Sequence, residues 1–268
     1  MHYFIKVACF ILLSIVLIAC STVKQTKINT TATQGFSNKV IAHRGAFKNT
    51  GVPENSIASL MAAIQMRCGG SEFDIHMTAD SVLVINHDHT LQGLDIEAST
   101  YAQLLEKTLS NGEKIPTLEN YLKAGAGQTI TKLIAEIKPS KVSKERSLAL
   151  AEKVVSLVKH LNVDQQVVYI SFDYDILKKV QQLDPQSQLQ YLKGDMTPEQ
   201  LKKDGIDLDY NYNVFKMNPD WIRTAKQLGL AVNVWTVNNP NTMDSLLAQQ
   251  VDFITTDEPE LLMKKLGL

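Results

Sequence analysis

Cysteine is scarce. The 268 residues contain three, Cys9, Cys20 and Cys68, too few and too scattered for a disulfide framework or a cysteine-based zinc site. An excess of one charge is also missing: 27 Lys and Arg against 28 Asp and Glu leave a formal net charge of −1. No run of five Lys or Arg occurs, so nothing is available to displace counterions from a phosphate backbone, and nucleic acid is set aside as a partner. No glycine-rich phosphate loop follows Ile41, as a doubly wound open sheet would require. No internal repeat of 20–50 residues is visible, and nothing marks a second domain. What remains is ordinary for a globular chain, 44% hydrophobic and 21% charged, long enough to bury a core without covalent staples.

The apolar residues are unevenly spread. Residues 1–19 have Lys6 as their only Lys or Arg, followed by a long apolar run, the pattern of a secretion signal. Its end, Leu17-Ile18-Ala19-Cys20, resembles the lipobox of bacterial lipoproteins. That resemblance implies cleavage before Cys20, lipidation of Cys20, and anchoring in the bacterial cell envelope by several acyl chains, each buried CH₂ contributing ~0.8 kcal/mol. Ser21 follows the cysteine rather than Asp; in a bacterium with two membranes the resemblance favours the outer membrane, facing the periplasm. The competing reading is an uncleaved membrane anchor of barely sufficient length. Residues 20–37 are polar and hold no acid, so they read as a tether without a core of its own.

Over residues 38–268 apolar strand-like runs alternate with helical patterns. The expected strands are 40–43, 72–76, 133–137, 167–171, 188–192, 206–210, 232–237 and 253–256, with a return strand at 82–85. Helices are expected at 56–64, 143–160, 173–183, 198–203, 219–228, 240–249 and 258–265, several with proline near the start. Eight strands with intervening helices predict a single-domain (β/α)₈ TIM barrel, typically ~250 residues, with a β-hairpin extension after strand two.

The chemistry gathers at the strand ends. Glu72 and Asp74 stand two apart in one strand, so both carboxylates leave the same face. The return strand ends in His87-Asp88, strand one in His43-Arg44-Gly45, and strand three in Glu136-Ile137-Lys138. In such barrels the C-terminal strand ends form the functional face. Each residue alone has an ordinary account as a capping histidine, a surface ion pair or a half-buried acid. Together they read as a metal-assisted phosphoester hydrolase. Glu72, Asp74 and Glu136 offer hard oxygen ligands for one divalent cation, Mg²⁺ or Ca²⁺. Arg44 and Lys138 suit phosphate oxygens, and His43 and His87 supply an acid and a base near neutral pH.

The ordered set His43-Arg44-Gly45, Pro53-Glu54-Asn55, Glu72-x-Asp74, His87-Asp88, Pro116-Thr117-Leu118-Glu119, Glu136-Ile137-Lys138 and Val234-Trp235-Thr236-Val237 resembles glycerophosphodiester phosphodiesterases. The resemblance covers residues 39–265. It implies a TIM-barrel enzyme that hydrolyses glycerophosphodiesters to glycerol 3-phosphate and an alcohol, in lipid metabolism and scavenging of phosphate and glycerol. It also implies attack by the glycerol 2-hydroxyl, giving a cyclic phosphate that water opens. By resemblance His43 and His87 are catalytic, Glu72, Asp74 and Glu136 bind metal, Arg44 and Lys138 touch phosphate, and Trp235 lines the glycerol side. Glu54 is then an acid that orients the first histidine, not a ligand. Two departures bear on the alcohol: the loop between His43 and Pro53 is longer than usual, and the segment from His89 to Pro116 is short, with Gln92 where arginine is common. His76 and His160 are given structural roles, and His89 a solvated one. Two other functions stay open on sequence alone. A barrel cleaving intact lipids would show an apolar collar beside the metal, and a lipid-anchored binding protein would lack a histidine or an acid.

Overall fold

The computed structural model describes residues 35–268. The signal peptide, Cys20 and the tether up to residue 34 lie outside the described residues. Eight strands form a closed parallel barrel: β1 (Val40–Ala42), β2 (Gly70–Met77), β6 (Lys132–Ile137), β7 (Val167–Ser171), β8 (Gln188–Tyr191), β9 (Asp207–Asn211), β10 (Val232–Trp235) and β11 (Phe253–Thr256). Closure comes from β1, which pairs with β11 on one side and β2 on the other. The antiparallel β3 (Leu83–Ile85) returns along β2, pairing Ile75 with Ile85 and Met77 with Leu83. The (β/α)₈ fold and its hairpin extension are thus as the sequence predicts. Short apolar-rich runs bounded by turn residues mark the eight strands, even where β2, β8 and β9 are interrupted by polar residues.

Helices α1 (Ile57–Gln65), α4 (Lys144–His160), α5 (Tyr174–Leu183), α6 (Pro198–Asp204), α8 (Trp221–Gln227), α9 (Pro240–Ala248) and α10 (Pro259–Leu266) lie where expected. Their starts are set locally. Ser56 and Ser59 form a capping box on α1, Thr197 and Gln200 one on α6, and proline opens α6, α9 and α10. Three helices were not expected: α2 (Tyr101–Leu104), α3 (Leu118–Gly125) and α7 (Tyr212–Met217). In α3 the buried Leu118, Tyr121, Leu122 and Gly125 keep helical spacing, masked in sequence by Gly125 and Gly127. In α7 the Tyr and Val content favours strand, but the Asn211 cap and burial of Phe215 prevail.

The segment after the hairpin has a small core of its own. Val84, Leu91, Ile96, Leu104 and Ile115 pack together beneath the short strands β4 (Thr90–Leu91) and β5 (Leu94–Asp95). Pro116 O accepts from Ile85 N at 2.9 Å, and Thr117 caps α3. The Pro-Thr-Leu-Glu motif therefore pins the hairpin to the barrel wall. At the opposite end, Phe36 packs on Phe253 with ring centroids 4.2 Å apart, against Ile41, Ile134 and Val168 of the inner core. Phe36, in the segment read from sequence as tether, thus plugs the N-terminal end of the barrel.

Candidate active site

The His43-Arg44-Gly45 turn leaves β1 with Arg44 at φ 54° and Gly45 at φ 79°. A Cβ on Gly45 would lie 2.4 Å from Ser59 Oγ, so only glycine fits between this turn and α1. The turn aims the Arg44 backbone N–H at Glu72 Oε2, 2.8 Å away, and turns His43 into the mouth. His43 Nδ1 lies 2.6 Å from Asp257 Oδ1. Asn238 in turn clamps Asp257, donating from Nδ2 at 2.6 Å and accepting the Asp257 N–H at 2.9 Å. An ionised carboxylate only accepts, so it fixes the proton on Nδ1 and leaves Nε2 free toward the site. Burial pushes the Asp257 carboxyl up, but the His43 hydrogen bond and charge prevail and hold it below the usual range.

Register builds the acid cluster. Asp74 on β2 is paired with Glu136 on β6, and Glu72 lies one pleat earlier on the same face. One oxygen from each of the three falls within 4.8 Å of the other two. All three are buried, and Glu72 Oε1 has no hydrogen-bond partner. Burial, then the charges of Asp74 and Glu136, push the Glu72 carboxyl well above its ordinary range. Burial and the Asp74 charge raise Glu136 to about 7. For Asp74 burial acts upward, but Lys138 and His87 outweigh it and hold the group ionised. Three hard oxygen donors with an orphaned carboxylate oxygen fit a divalent cation, which would remove the repulsion driving two of them up.

Cations and imidazoles ring these acids. Lys138 Nζ lies 2.8 Å from Asp74 Oδ1 and 2.9 Å from Glu136 Oε1; burial lowers its pKa, but those two acids raise it further. Arg44 Nε is 3.9 Å from Asp74. His87 follows β3 and meets Asp88 Oδ1 through Nδ1 at 2.8 Å. A cavity of about 130 Å³ is lined by His43, His87, Glu72, Glu136, Arg44, Lys138 and Trp235 among others. Phe172 and Trp235 meet edge to face at 5.5 Å on its wall. A wider recess of about 460 Å³ opens beside His87, bounded by Asp88, Thr90, Lys138, Lys141 and Phe172.

The sequence profile of the glycerophosphoryl diester phosphodiesterase family matches residues 43–261. The chain belongs to that family. It is similar to a glycerophosphodiester phosphodiesterase of Parabacteroides distasonis of known structure, at 44% identity and a TM-score of 0.83, over 87% of this chain and 98% of that one. Among curated proteins it is 30% identical to a glycerophosphodiester phosphodiesterase of Caldanaerobacter subterraneus, over 84% of this chain and 96% of the relative. It is also 30% identical to one from Bacillus subtilis, over 84% and 85% respectively.

Within this family fold, the predicted site residues His43, Arg44, Glu72, Asp74, His87, Glu136, Lys138 and Trp235 converge on one mouth. Glu54 does not fill its expected place. Its carboxylate takes Arg44 Nη1 at 3.0 Å and is 40% exposed, whereas the acid on the first histidine is Asp257. In the same motif it is Asn55 that reaches the cluster: Nδ2 donates to Asp74 Oδ2 at 2.8 Å, and Oδ1 accepts the Asp74 N–H at 3.1 Å. Asp257, Asn238 and Asn55 were missed in sequence. Asp257 carried a signal, an acid one residue past the end of the last barrel strand. The bystander histidines also resolve. His76 is buried, held by burial at about 4, and its Nε2 meets the His87 carbonyl at 3.3 Å, so it fixes the backbone of a site residue. His89 is not solvated as expected; it is half-buried with its ring 4.9 Å from that of His76.

Proposed function

We propose that this phosphodiesterase hydrolyses glycerophosphodiesters to glycerol 3-phosphate and an alcohol, with one divalent cation, Mg²⁺ or Ca²⁺, held by Glu72, Asp74 and Glu136. The observation that supports it most is a single cavity bordered by two imidazoles, two of the three clustered acids and two cationic side chains. A cation held by Glu72, Asp74 and Glu136 would supply Lewis-acid polarisation of a phosphoryl oxygen and neutralise developing charge. Arg44 and Lys138 hold the remaining phosphate oxygens in place for in-line attack. One imidazole takes the proton of the attacking hydroxyl and the other returns one to the departing alcohol oxygen, each step contributing ~10²–10⁴ in rate. The orientation of His43 through Asp257 leaves Nε2 as its working atom. The glycerol 2-hydroxyl is the first nucleophile in this reading, and water then opens the cyclic phosphate. Trp235 packs against the glycerol carbons.

The same reading places the enzyme in the cell envelope through lipidated Cys20. Hydrolysis of a panel of glycerophosphodiesters, stripped with EDTA and restored with Mg²⁺ or Ca²⁺, tests the activity. Release of glycerol 3-phosphate that depends on metal is expected; metal-independent turnover removes the cation. Processing is tested by Cys20→Ser, which is expected to leave the precursor uncleaved.

A further inference from the structure

Strand β9 carries a second i, i+2 pair of acids, Asp207 and Asp209, both buried in the barrel interior. Their surroundings differ. Asp207 accepts the Ala231 N–H at 2.9 Å. Asp209 is 1% exposed, and its Oδ1 has no hydrogen-bond partner. The neighbouring Asn233 hydrogen-bonds the Asp209 carboxyl group and is also engaged with Thr255, donating from Nδ2 at 3.0 Å and accepting at 3.2 Å, so Oδ1 alone is left over. A buried acceptor left without a partner is destabilising and calls for an explanation. Asp209 is not among the three carboxylates whose oxygens cluster, so the cation does not supply one. It does line the 130 Å³ cavity, together with Trp235, whose Nε1 donates to the Asp209 carbonyl at 2.8 Å.

The cavity is divided chemically. Ile170, Leu192, Phe172 and Trp235 give it apolar sides, while Asp209 and Thr255 are the polar residues that β9 and β11 contribute away from the catalytic groups. The diester itself has two halves, a constant glycerol and a variable alcohol. The small cavity suits the constant half, and the wider recess beside His87, Asp88 and Lys141 suits the variable one. Glycerol carbons then lie on the apolar sides, with one hydroxyl left to be satisfied beyond the 2-hydroxyl used in attack.

We propose that Asp209 binds substrate: its Oδ1 pairs with the free terminal hydroxyl of the glycerol half, the one farthest from phosphorus, and so makes that hydroxyl a requirement. This rests on the hydrolase reading above and extends it to substrate selection. A hydroxyl both donates and accepts, so it pairs with the carboxyl group in either protonation state. An acyl ester at that oxygen has no proton to give and leaves the Asp209 carboxylate without a donor. Sites built around a substrate hydroxyl reject analogues that lack it by up to ~10⁴–10⁵, because the protein group is then buried unpaired.

The test compares glycerophosphocholine with 2-hydroxypropyl phosphocholine, which keeps the attacking hydroxyl and lacks only the terminal one. The metal-restored wild type is expected to favour glycerophosphocholine by at least ~100-fold in kcat/KM and to leave 1-acyl lysophosphatidylcholine uncleaved. Asp209→Ala should cut that preference at least tenfold, through the glycerol substrate, and Asp209→Asn should retain part of it because an amide still pairs with a hydroxyl. Calorimetry with sn-glycerol 3-phosphate and 2-hydroxypropyl phosphate reads the same preference without turnover. If wild type cleaves no diester, the hydrolase reading falls, while the calorimetric ratio still judges Asp209. Equal affinity of wild type for the two monophosphates, or a variant that loses both diesters in equal proportion, overturns the assignment. Should both variants unfold, Asp209→Glu, which keeps the acid and displaces it, takes their place in the same comparison, and an unchanged preference in it overturns the assignment.

Discussion

The two histidines face one cavity from unlike settings. His43 stands on a barrel strand end, and its Nδ1 is held by Asp257, itself clamped by two hydrogen bonds to Asn238. His87 stands past the tip of β3, and its Nδ1 meets Asp88, whose side chain is 74% exposed. The first pair works in a partly desolvated site, where a carboxylate both orients the ring and fixes its tautomer. The second is bathed in water, which screens the charge and competes for the hydrogen bond. His87 gets its precision instead from its backbone, whose carbonyl meets buried His76. One ring is positioned through its side chain, the other through its main chain.

The largest effects should ignore this difference. Both imidazoles border the cavity, so His43→Ala and His87→Ala are each expected to lower kcat by ~10²–10⁴ or more without a matching loss of metal affinity. A variant within tenfold of wild type takes that ring out of proton transfer. The supporting acids should then separate them. Asp257→Asn is expected to cost ~10²–10⁴ in kcat, the range from loosened orientation to a wrong tautomer, whereas Asp88→Asn should cost less than about tenfold. Equal losses at Asp257 and Asp88 would erase the contrast.

The contrast also marks how far the sequence could be read. His43, His87, Glu72, Asp74, Glu136 and Lys138 were visible because strand periodicity puts i, i+2 residues on one face, and strand ends on one rim. Asp257 joins His43 across 214 positions, and Asn55 joins Asp74 across 19 through a turn in which Asn55 itself has φ 55°. No local pattern encodes such contacts; the first exists only once β11 has closed the barrel against β1, the second only once the turn before α1 lies against β2. Glu54 shows the converse error: the family resemblance made it the acid on His43, but Arg44 takes its carboxylate instead. The short helices α2 and α7 escaped for a related reason, each being held by caps and by one or two buried side chains rather than by an amphipathic period.

The acids between the two rings allow a test that bypasses turnover. Glu136 is raised to about 7 and Glu72 well above its ordinary value, first by burial. Unfolded, both ionise near 4.5, so between about 4.5 and 7 the metal-free fold binds more protons than the unfolded chain. Its stability contribution from these groups is therefore lost as pH rises through that window. A cation needs the same oxygens deprotonated, so its stabilisation should grow over the same range. The rise in thermal midpoint on adding saturating Mg²⁺ or Ca²⁺ is expected to be several degrees larger at pH 8 than at pH 5.5, at ~2–4 °C per kcal/mol for a domain of this size. A pH-independent increment means that other groups hold the metal. Comparing the two rise curves in His43→Ala and His87→Ala shows which ring couples to the cluster; His87 is among the charges acting on Asp74.

The smallest effect distinguishes orientation of His43 from support of Arg44. Glu54 is 40% exposed and bonded to the Arg44 guanidinium, so Glu54→Gln weakens a partly solvated ion pair. Such pairs contribute up to ~1 kcal/mol, equivalent to about fivefold in an equilibrium constant. The loss should appear in KM, through a phosphate contact held less firmly, with kcat within about twofold of wild type and the pH profile unmoved. An acid that oriented the imidazole would behave otherwise: its removal would lower kcat and displace the pH dependence of the first histidine. Measuring both parameters across pH 5–9 for Glu54→Gln beside Asp257→Asn assigns that role to one acid. The 2.6 Å contact from Asp257 to Nδ1 already makes it the stronger claimant.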